Sequence, residues 1–338
     1  MTLKHFIAHG IVWAGAPLFA LSGAAGLAAP SPEYSVGPTF TAVGGTPHFS
    51  AVDVRLHKLF VSNLARGTVT VVNSRTGKYL ATIHLGGVVH TVMINQKTQR
   101  VYVTDIARGY LDVINARTNQ VTAEIPVAQH LHGLAVSQRL HEAFVTDIAL
   151  SRVYIVNLKT NKVLTPHGLP VGPNPWGVTV NPRTHMLYVA NTGINPFSST
   201  PVNPSGNSVT VINLRTDQTA GTITVGPHPW NLVAVPSTNQ VYVGVSAANA
   251  VAVIRGMHVI KDIAVGNSPH GVAWDKNNRM LFVNNSLSNN VSLINTVQNM
   301  VTQTIPVGTQ PQGISINPVT GWAYTVNQAS QTVTVLKP

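Results

Sequence analysis

The sequence contains no cysteine, and charged residues make up only 9% of it. The absence of thiols excludes disulfide bonds, thiolate metal ligands, iron–sulfur clusters, cysteine nucleophiles and a lipid anchor on cysteine. A soluble domain usually carries about 25% charged residues, so Asn, Thr, Ser and Gln must form much of this surface. The 10 acidic residues against 21 lysines and arginines leave no evident carboxylate pair and no calcium-binding loop.

Several catalytic signatures are also missing. The sequence has no glycine-rich phosphate loop, no GxSxG, no HExxH and no CxxCH haem site. If the chain catalyses a reaction, its histidines must supply the chemistry. The shortage of carboxylates also fits a low-pH habitat, because carboxylates would be protonated there and contribute little; this hypothesis predicts similar stability in acid and at neutral pH.

The first residues have the order of a secretory signal peptide. Lys4 and His5 precede an apolar stretch from Phe6 to about Leu21, and small residues follow. We therefore predict a signal peptide at 1–29, a linker at 30–37 and an extracytoplasmic location, either periplasmic or secreted. An uncleaved anchor is the alternative, although Pro17 and the glycines make this stretch a poor span. No long apolar run follows, so we expect no membrane segment in the mature chain.

A unit of about 42 residues repeats seven times from residue 38 to the C-terminus. Its best-marked segment reads LFVSN, VYVTD, AFVTD, LYVAN, VYVGV, LFVNN and AYTVN. Each copy also has further short, alternating segments rich in Val, Ile and Thr, which are typical of strands. Four strands per unit at this spacing predict an all-β, seven-bladed β-propeller with four-stranded antiparallel blades, forming one domain over 38–338.

The last copy ends at Pro338 after its third strand. Residues 39–43 resemble a fourth strand and precede the first copy. We therefore predict that this N-terminal strand completes the last blade by pairing with residues 333–337, which closes the ring and leaves no exposed seam.

The repeated unit resembles the YVTN β-propeller repeat family. It reads PVG-x-x-P-x-G-V-x-x-N-P, then Y-V-T/A-N, then S/T-V-x-V-I-N, with clear copies from Val171 to Asn191 and from Val265 to Asn285. The resemblance covers about residues 38–338 and implies a seven-bladed, usually extracytoplasmic propeller. It implies no single activity, since similar proteins include binding proteins, surface proteins, lactonases, lyases and dehydrogenase subunits.

Propeller geometry assigns the turns to two faces. We call upper the face with the turns between blades and between strands two and three, and lower the face with the remaining turns. One recurrent position, just before each first strand, should encircle the upper mouth of the channel; we call its occupants the mouth ring: His48, His90, His132, Trp176, Trp230, His270 and Gln312. Asp105 and Asp147 end their second strands on the same face, where a carboxylate can orient a histidine.

The mouth ring is the candidate ligand-binding site, together with the two aspartates. His48, His90 and His132 come from consecutive blades and His270 enters from the opposite side, a donor set that suits copper or zinc. A metal-free small-molecule site is the first alternative, and planar groups that only cap turns are the second. The insertion from about Gly193 to Asn207 should also lie on the upper face, where Phe197 would cover the mouth unless the loop is flexible decoration.

The lower face carries most of the lysines and arginines and few acids. Its turns form the candidate anion-docking face, represented by Arg75, Arg117, Lys159, Arg183 and Arg215. Solvated turns that keep the protein soluble are the alternative interpretation.

Together these patterns favour an exported, monomeric binding module. It would take a small ligand at the mouth and dock an anionic polymer or protein through the lower face. The alternatives are an enzyme that uses the mouth histidines, either a copper or zinc oxidoreductase or a lactonase- or lyase-like protein, and a structural surface-layer protein.

Overall fold

The computed structural model describes residues 31–195 and 202–338. The predicted signal peptide at 1–29 and Phe197 lie outside the described residues.

The chain folds into seven antiparallel sheets, which are the blades of a propeller. Blades 1 and 2 contain β2 (Pro47–Asp53), β3 (Lys58–Asn63), β4 (Thr68–Asn73) and β5 (Tyr79–His84), then β6 (Val89–Asn95), β7 (Arg100–Asp105), β8 (Tyr110–Asn115) and β9 (Gln120–Pro126). Blades 3 and 4 contain β10 (Leu131–Ser137), β11 (Glu142–Asp147), β12 (Arg152–Asn157), β13 (Lys162–Val163) and β14 (Leu169–Pro170), then β15 (Pro175–Asn181), β16 (Met186–Asn191), β17 (Ser208–Asn213) and β18 (Gln218–Thr224).

Blades 5 and 6 contain β19 (Pro229–Val235), β20 (Gln240–Val245), β21 (Ala250–Arg255) and β22 (His258–Ala264), then β23 (Pro269–Asp275), β24 (Met280–Asn285), β25 (Asn290–Asn295) and β26 (Met300–Pro306). Blade 7 contains β27 (Pro311–Ile316), β28 (Ala323–Asn327), β29 (Thr332–Lys337) and the N-terminal β1 (Ser35–Phe40). Each first strand contacts the first strands of both neighbouring blades, and β27 contacts β2. This closed ring confirms the predicted seven-bladed propeller.

The ring closes through the N-terminal strand, as predicted. Strand β1 pairs antiparallel with β29, with Thr39 opposite Thr334 and Phe40 opposite Val333. The strand spans 35–40 instead of 39–43, so it begins inside the stretch that we expected to be linker. The pairing register shifts between Val36 and Thr39, where Pro38 has no N–H to offer the ladder. Tyr34, just before the strand, is 2% exposed, and its hydroxyl donates to Asp275 Oδ2 at 3.0 Å.

The glycine of the repeated PVG motif packs against the Asn that ends the second strand of the same blade. A Cβ on Gly172 would lie 2.5 Å from the side chain of Asn191, so only glycine allows this approach. Asn191 in turn donates through Nδ2 to the hydroxyls of Ser208 and Thr210 on the neighbouring strand. The recurrent Asn therefore ties the second strand to the third, which explains its recurrence without any ligand.

Departures from the regular blade are few. The fourth strand of blade 3 is split into β13 and β14, which both pair with β12. Two 3₁₀ turns, Leu64–Arg66 and Ser246–Ala248, follow second strands on the upper face. Within the described ranges, no helix is long and apolar enough to cross a membrane.

Candidate functional site

Each mouth-ring side chain is directed by a β-bulge at the start of a first strand. In blade 1, Pro47 pairs with Asn63 and Ser50 pairs with Val61, so two residues, His48 and Phe49, oppose a single residue. The same register shift recurs in all seven blades. A bulge bends its strand and re-aims a side chain. The ring position therefore lies within the first strand and not in the turn before it, which corrects the sequence-based placement.

A hydroxyl on the second strand holds several of these bulges in place. Thr104 Oγ1 accepts the N–H of Thr91 at 3.0 Å and donates to the carbonyl of His132, in the next blade, at 2.9 Å. Ser62 makes the equivalent pair of bonds with Phe49 N and His90 O. Each hydroxyl thus satisfies an N–H freed by the bulge and fixes the next ring residue.

Thr146 has the same two roles, and Asn284 has the second of them. Thr146 bonds Gly133 N and the carbonyl of Trp176, and Asn284 donates to the carbonyl of Gln312. These residues were not predicted from the sequence. Their signal is the fourth letter of the repeated LFVSN-type segment, which is Ser, Thr or Asn in these blades.

The aromatic members of the mouth ring converge into a continuous series of tilted and edge-to-face ring contacts. Ring centroids are 4.4 Å apart between His48 and His90, 3.7 Å between His90 and His132, and 4.0 Å between His132 and Trp176. The series continues at 3.9 Å from Trp176 to Trp230 and 4.7 Å from Trp230 to His270. Gln312 is buried at the equivalent position of blade 7. The structure therefore brings all seven predicted ring residues to one place.

The four ring histidines are buried and electrically neutral near pH 7. Burial is the largest cause of their shifts: it lowers the pKa of His270 to about 4 and holds those of His48, His90 and His132 well below their usual range. Repulsion from a protonated neighbouring histidine lowers the pKa of these last three imidazoles further.

Their hydrogen bonds assign different tautomers to two of them. Gln328 Nε2 donates to Nδ1 of His48 at 3.1 Å, so the His48 proton is on Nε2. The Thr91 hydroxyl donates its only proton to the carbonyl oxygen of His132, so it can only accept a hydrogen bond from Nδ1 of His90. The His90 proton is therefore on Nδ1, and the lone pair is on Nε2.

A cavity of about 520 Å³, which we call the mouth cavity, opens above this ring. Its walls add aliphatic side chains, namely Leu64, Val88, Ile106 and Leu287. Three buried polar atoms of lining residues have no hydrogen-bond partner among the described residues: His48 Nε2, His270 Nδ1 and Trp230 Nε1. Unpaired buried polar atoms are costly, and a ligand with matching atoms would satisfy them.

The geometry does not assemble a metal site. Within 31–195 and 202–338, no three His, Cys, Asp or Glu side chains are placed to hold one ion. The histidines of consecutive blades contact one another as tilted rings. A copper or zinc site at His48, His90, His132 and His270 stays a prediction without support from the geometry.

The two predicted aspartates lie beside the site and not in it. Asp105 and Asp147 are 0% exposed and do not line the mouth cavity. Asp105 Oδ1 accepts the N–H groups of Ala107 and Arg108, and its Oδ2 accepts from Arg108 Nε at 2.6 Å. Asp147 Oδ1 accepts two turn N–H groups in the same way. Both carboxylates therefore build the turn after their strand.

The base of the insertion is attached to the mouth ring. Trp176 Nε1 donates to the carbonyl of Ile194 at 3.0 Å, and Ile194 pairs with Val202 across the loop. The insertion therefore leaves the blade directly beside the ring, on the upper face where the sequence placed it.

The lower face carries the predicted cations in its turns. All five predicted docking residues, Arg75, Arg117, Lys159, Arg183 and Arg215, are exposed in turns of blades 1–4. Arg183 also donates to the carbonyl of Pro236 in blade 5, and Lys58 donates to the carbonyls of Ala116 and Arg117. Some of these cations therefore tie neighbouring blades together, while the others extend into solvent.

Comparison with known proteins supports the fold and leaves the activity open. No family model matches the chain. PE_PGRS18, a PE-PGRS family protein of Mycobacterium tuberculosis, is 46% identical over 55 residues, which are 16% of this chain and 12% of that protein. Among solved structures, hydrazine synthase of Kuenenia stuttgartiensis aligns with a TM-score of 0.73 and 17% identity, over 88% of this chain and 97% of that chain. Similarity at this low identity shows the propeller fold alone.

Proposed function

We propose that the chain is an exported binding module whose mouth cavity takes a small planar molecule with hydrogen-bond acceptors. The observation that carries the proposal is the combination of a floor of contacting aromatic rings with unpaired polar atoms in one cavity of about 520 Å³. This volume lies within the range of about 300–1,000 Å³ that is common for small-ligand sites.

The tautomers define the ligand further. His48 Nε2 and Trp230 Nε1 carry protons without acceptors, so a carbonyl or carboxylate oxygen matches them. The imidazoles are neutral, so the cavity has no charge of its own with which to select a cation or an anion. A flat ligand gains by stacking on the floor, since aromatic pairs contribute about 0.5–1.5 kcal/mol beyond their buried area.

Export is part of the proposal and is supported by the order of basic, apolar and small residues before Pro30. The basic lower face is proposed to dock an anionic polymer or protein outside the cytoplasm. Raised salt should weaken this docking, and charge reversal at Arg75, Arg117 and Arg215 should remove it.

Ligand binding can be tested with a panel of planar aromatic amides and carboxylates, detected by saturation-transfer NMR. We expect hits that Trp230→Leu weakens at least about tenfold, the loss of about 1.4 kcal/mol. Trp322→Leu is the matched control, because Trp322 lies on blade 7 away from the mouth cavity. Hits that respond equally to both substitutions, or a panel without any hit, would refute the proposed site.

The metal-dependent enzyme is the competing hypothesis. It predicts stoichiometric copper or zinc in protein purified without a His-tag, and loss of that metal in His90→Gln. A metal content below one equivalent per chain, which does not rise when Cu²⁺ or Zn²⁺ is added, would contradict the enzyme hypothesis. The metal-free binding module would then remain.

A further inference from the structure

The channel contains a second cavity on the other side of the mouth ring. The lower cavity, which we call the lower chamber, has a volume of about 390 Å³ and is lined by the first strands of all seven blades. Phe49 belongs to its lining, and the Phe49 ring lies 5.0 Å from the His48 ring and 5.3 Å from the His90 ring. Phe49 is the bulky member of its repeat position, which otherwise holds Thr91, Gly133, Gly177, Asn231, Gly271 and Gly313.

The wall of the lower chamber is chiefly aliphatic. Every blade contributes Val, Leu, Ile or Ala side chains, and none of the described residues that line it is charged. Its polar side chains are largely bonded inside the protein. Ser50 and Ser315 bond each other at 2.8 Å, and Gln96 bonds the backbone of Val52 and Val54. The chamber therefore offers an apolar ligand contact area and few competing hydrogen-bonding groups.

The lower end of the chamber opens among cations. Met93, in the lower half of β6, lines the chamber and is 36% exposed. Two residues beyond the end of the first strand, blades 1–4 each place an exposed basic residue; we call this set the inner cation row: Arg55, Lys97, Arg139 and Arg183. The equivalent residues of blades 5 and 6 are Ser237 and Asn277. An apolar cavity thus meets an arc of positive charge at its opening.

We propose that the lower chamber binds the alkyl chain of a single-chain anionic amphiphile, with the head group at the inner cation row. Two independent observations indicate the same kind of ligand. The aliphatic wall of the chamber favours an alkyl chain, and the inner cation row favours an anionic head group. A water molecule takes about 30 Å³ of liquid, and a methylene group is of similar size. The chamber therefore accommodates a chain of on the order of ten carbons, which makes medium-chain carboxylates the best match.

Chain length provides the first test. Isothermal titration calorimetry would compare hexanoate, octanoate, decanoate and dodecanoate below their micelle concentrations. Each methylene buried should raise the affinity about fourfold, until the chamber is full and the gain stops near decanoate or dodecanoate. The uncharged alcohol of the same length should bind more weakly than the carboxylate, and the alkylammonium ion more weakly still. Affinity that is independent of chain length would overturn the proposal.

Substitutions locate the site. Ala273→Leu and Val233→Phe fill the chamber from two blades and should each weaken decanoate binding at least about tenfold, with unchanged circular dichroism. The pair Lys97→Glu and Arg139→Glu should weaken the carboxylate and spare the alcohol. The matched control is Arg255→Glu with Lys261→Glu, which makes the same charge change at exposed positions of blade 5 that belong neither to the predicted docking residues nor to the inner cation row.

Three outcomes would contradict the proposal. Decanoate binding that persists in both folded filling variants would place the ligand elsewhere. Binding lost in Trp230→Leu and retained in Ala273→Leu would place it in the mouth cavity, which tests the two sites separately. Co-sedimentation with vesicles of anionic phospholipid, without affinity for free decanoate, would assign the lower face to a membrane surface instead of a free amphiphile.

Discussion

The buried histidine ring predicts a loss of stability in acid, and His270→Gln measures one part of it. Burial lowers the pKa of His270 from 6.5 to about 4. In the unfolded chain the same imidazole binds a proton below about pH 6.5, whereas the folded protein excludes that proton until pH 4. Stability is therefore complete above pH 6.5, falls as the pH decreases through this window, and reaches its full loss below the folded pKa.

The shift sets the size of the effect. A single group with these two pKa values lowers the free energy of unfolding by about 3 kcal/mol at pH 4 and by about 2 kcal/mol at pH 5. Glutamine is a suitable replacement because Gln312 fills the same position in blade 7, where it is 6% exposed. The variant keeps a planar polar group and cannot titrate. Its free energy of unfolding should therefore decrease by about 3 kcal/mol less than that of the wild type between pH 7 and pH 4.

Urea unfolding at pH 7, 5 and 4 measures this difference. The pKa values of His48, His90 and His132 shift in the same direction, so the wild type should lose more than the His270 share. Burial raises the pKa of Asp112 to about 7 in spite of two hydrogen bonds from Arg108, which acts in the opposite sense and cancels in the comparison. His84→Gln, at an exposed position, is the control. Parallel losses in wild type and His270→Gln would refute the reasoning, whereas a wild type that loses no stability between pH 7 and pH 4 would support the low-pH habitat hypothesis.

Two further predictions concern the supports of the ring. Thr146→Val leaves the Gly133 N–H without its acceptor and should cost about 1–3 kcal/mol in urea unfolding, whereas Thr146→Ser should retain most of the stability; equal losses would contradict the role of the hydroxyl. Deleting residues 31–40 removes β1 and leaves β29 as an unpaired edge, so we expect earlier unfolding and self-association by size-exclusion chromatography. Val36→Ala, at a 51% exposed site, should change neither property, and a deletion variant that matches the wild type would remove β1 from the closure.

The fold was predictable because each blade repeats the same local sequence pattern of strands and turns. Alternating Val, Ile and Thr mark the strands, and the repeat spacing fixes the number of blades. The closing strand was found for the same reason, since Thr39 and Phe40 complete the pattern that the last copy lacks. Its start was misplaced because pairing continues to Ser35 across the irregularity at Pro38, and a sequence pattern does not show how an irregular ladder resumes.

The site was only partly predictable. The repeat brought the seven ring residues together, because equivalent positions in a closed ring must converge. It did not reveal the bulge, since a register shift is a relation between two strands. For the same reason the hydroxyls of Ser62, Thr104 and Thr146 were missed: their partners lie in the neighbouring blade. The sequence could not separate two roles for Asp105 and Asp147, because a carboxylate that closes a turn and one that faces a ligand occupy the same place in the repeat.

Equivalent positions in the repeat do not become equivalent chemical groups, and this difference determines what the channel can do. His48 and His90 occupy the same place in adjacent blades, yet Gln328 assigns the proton of one to Nε2 and Thr91 assigns that of the other to Nδ1. Phe49 stands where the other blades have small or polar residues, and its ring packs against those of His48 and His90 from the side of the lower chamber. The repeat supplies convergence, and single departures from it supply the chemistry. Phe49→Ala would therefore enlarge the lower chamber towards His48 and His90, which is why we expect ligand selectivity, more than affinity, to depend on that residue.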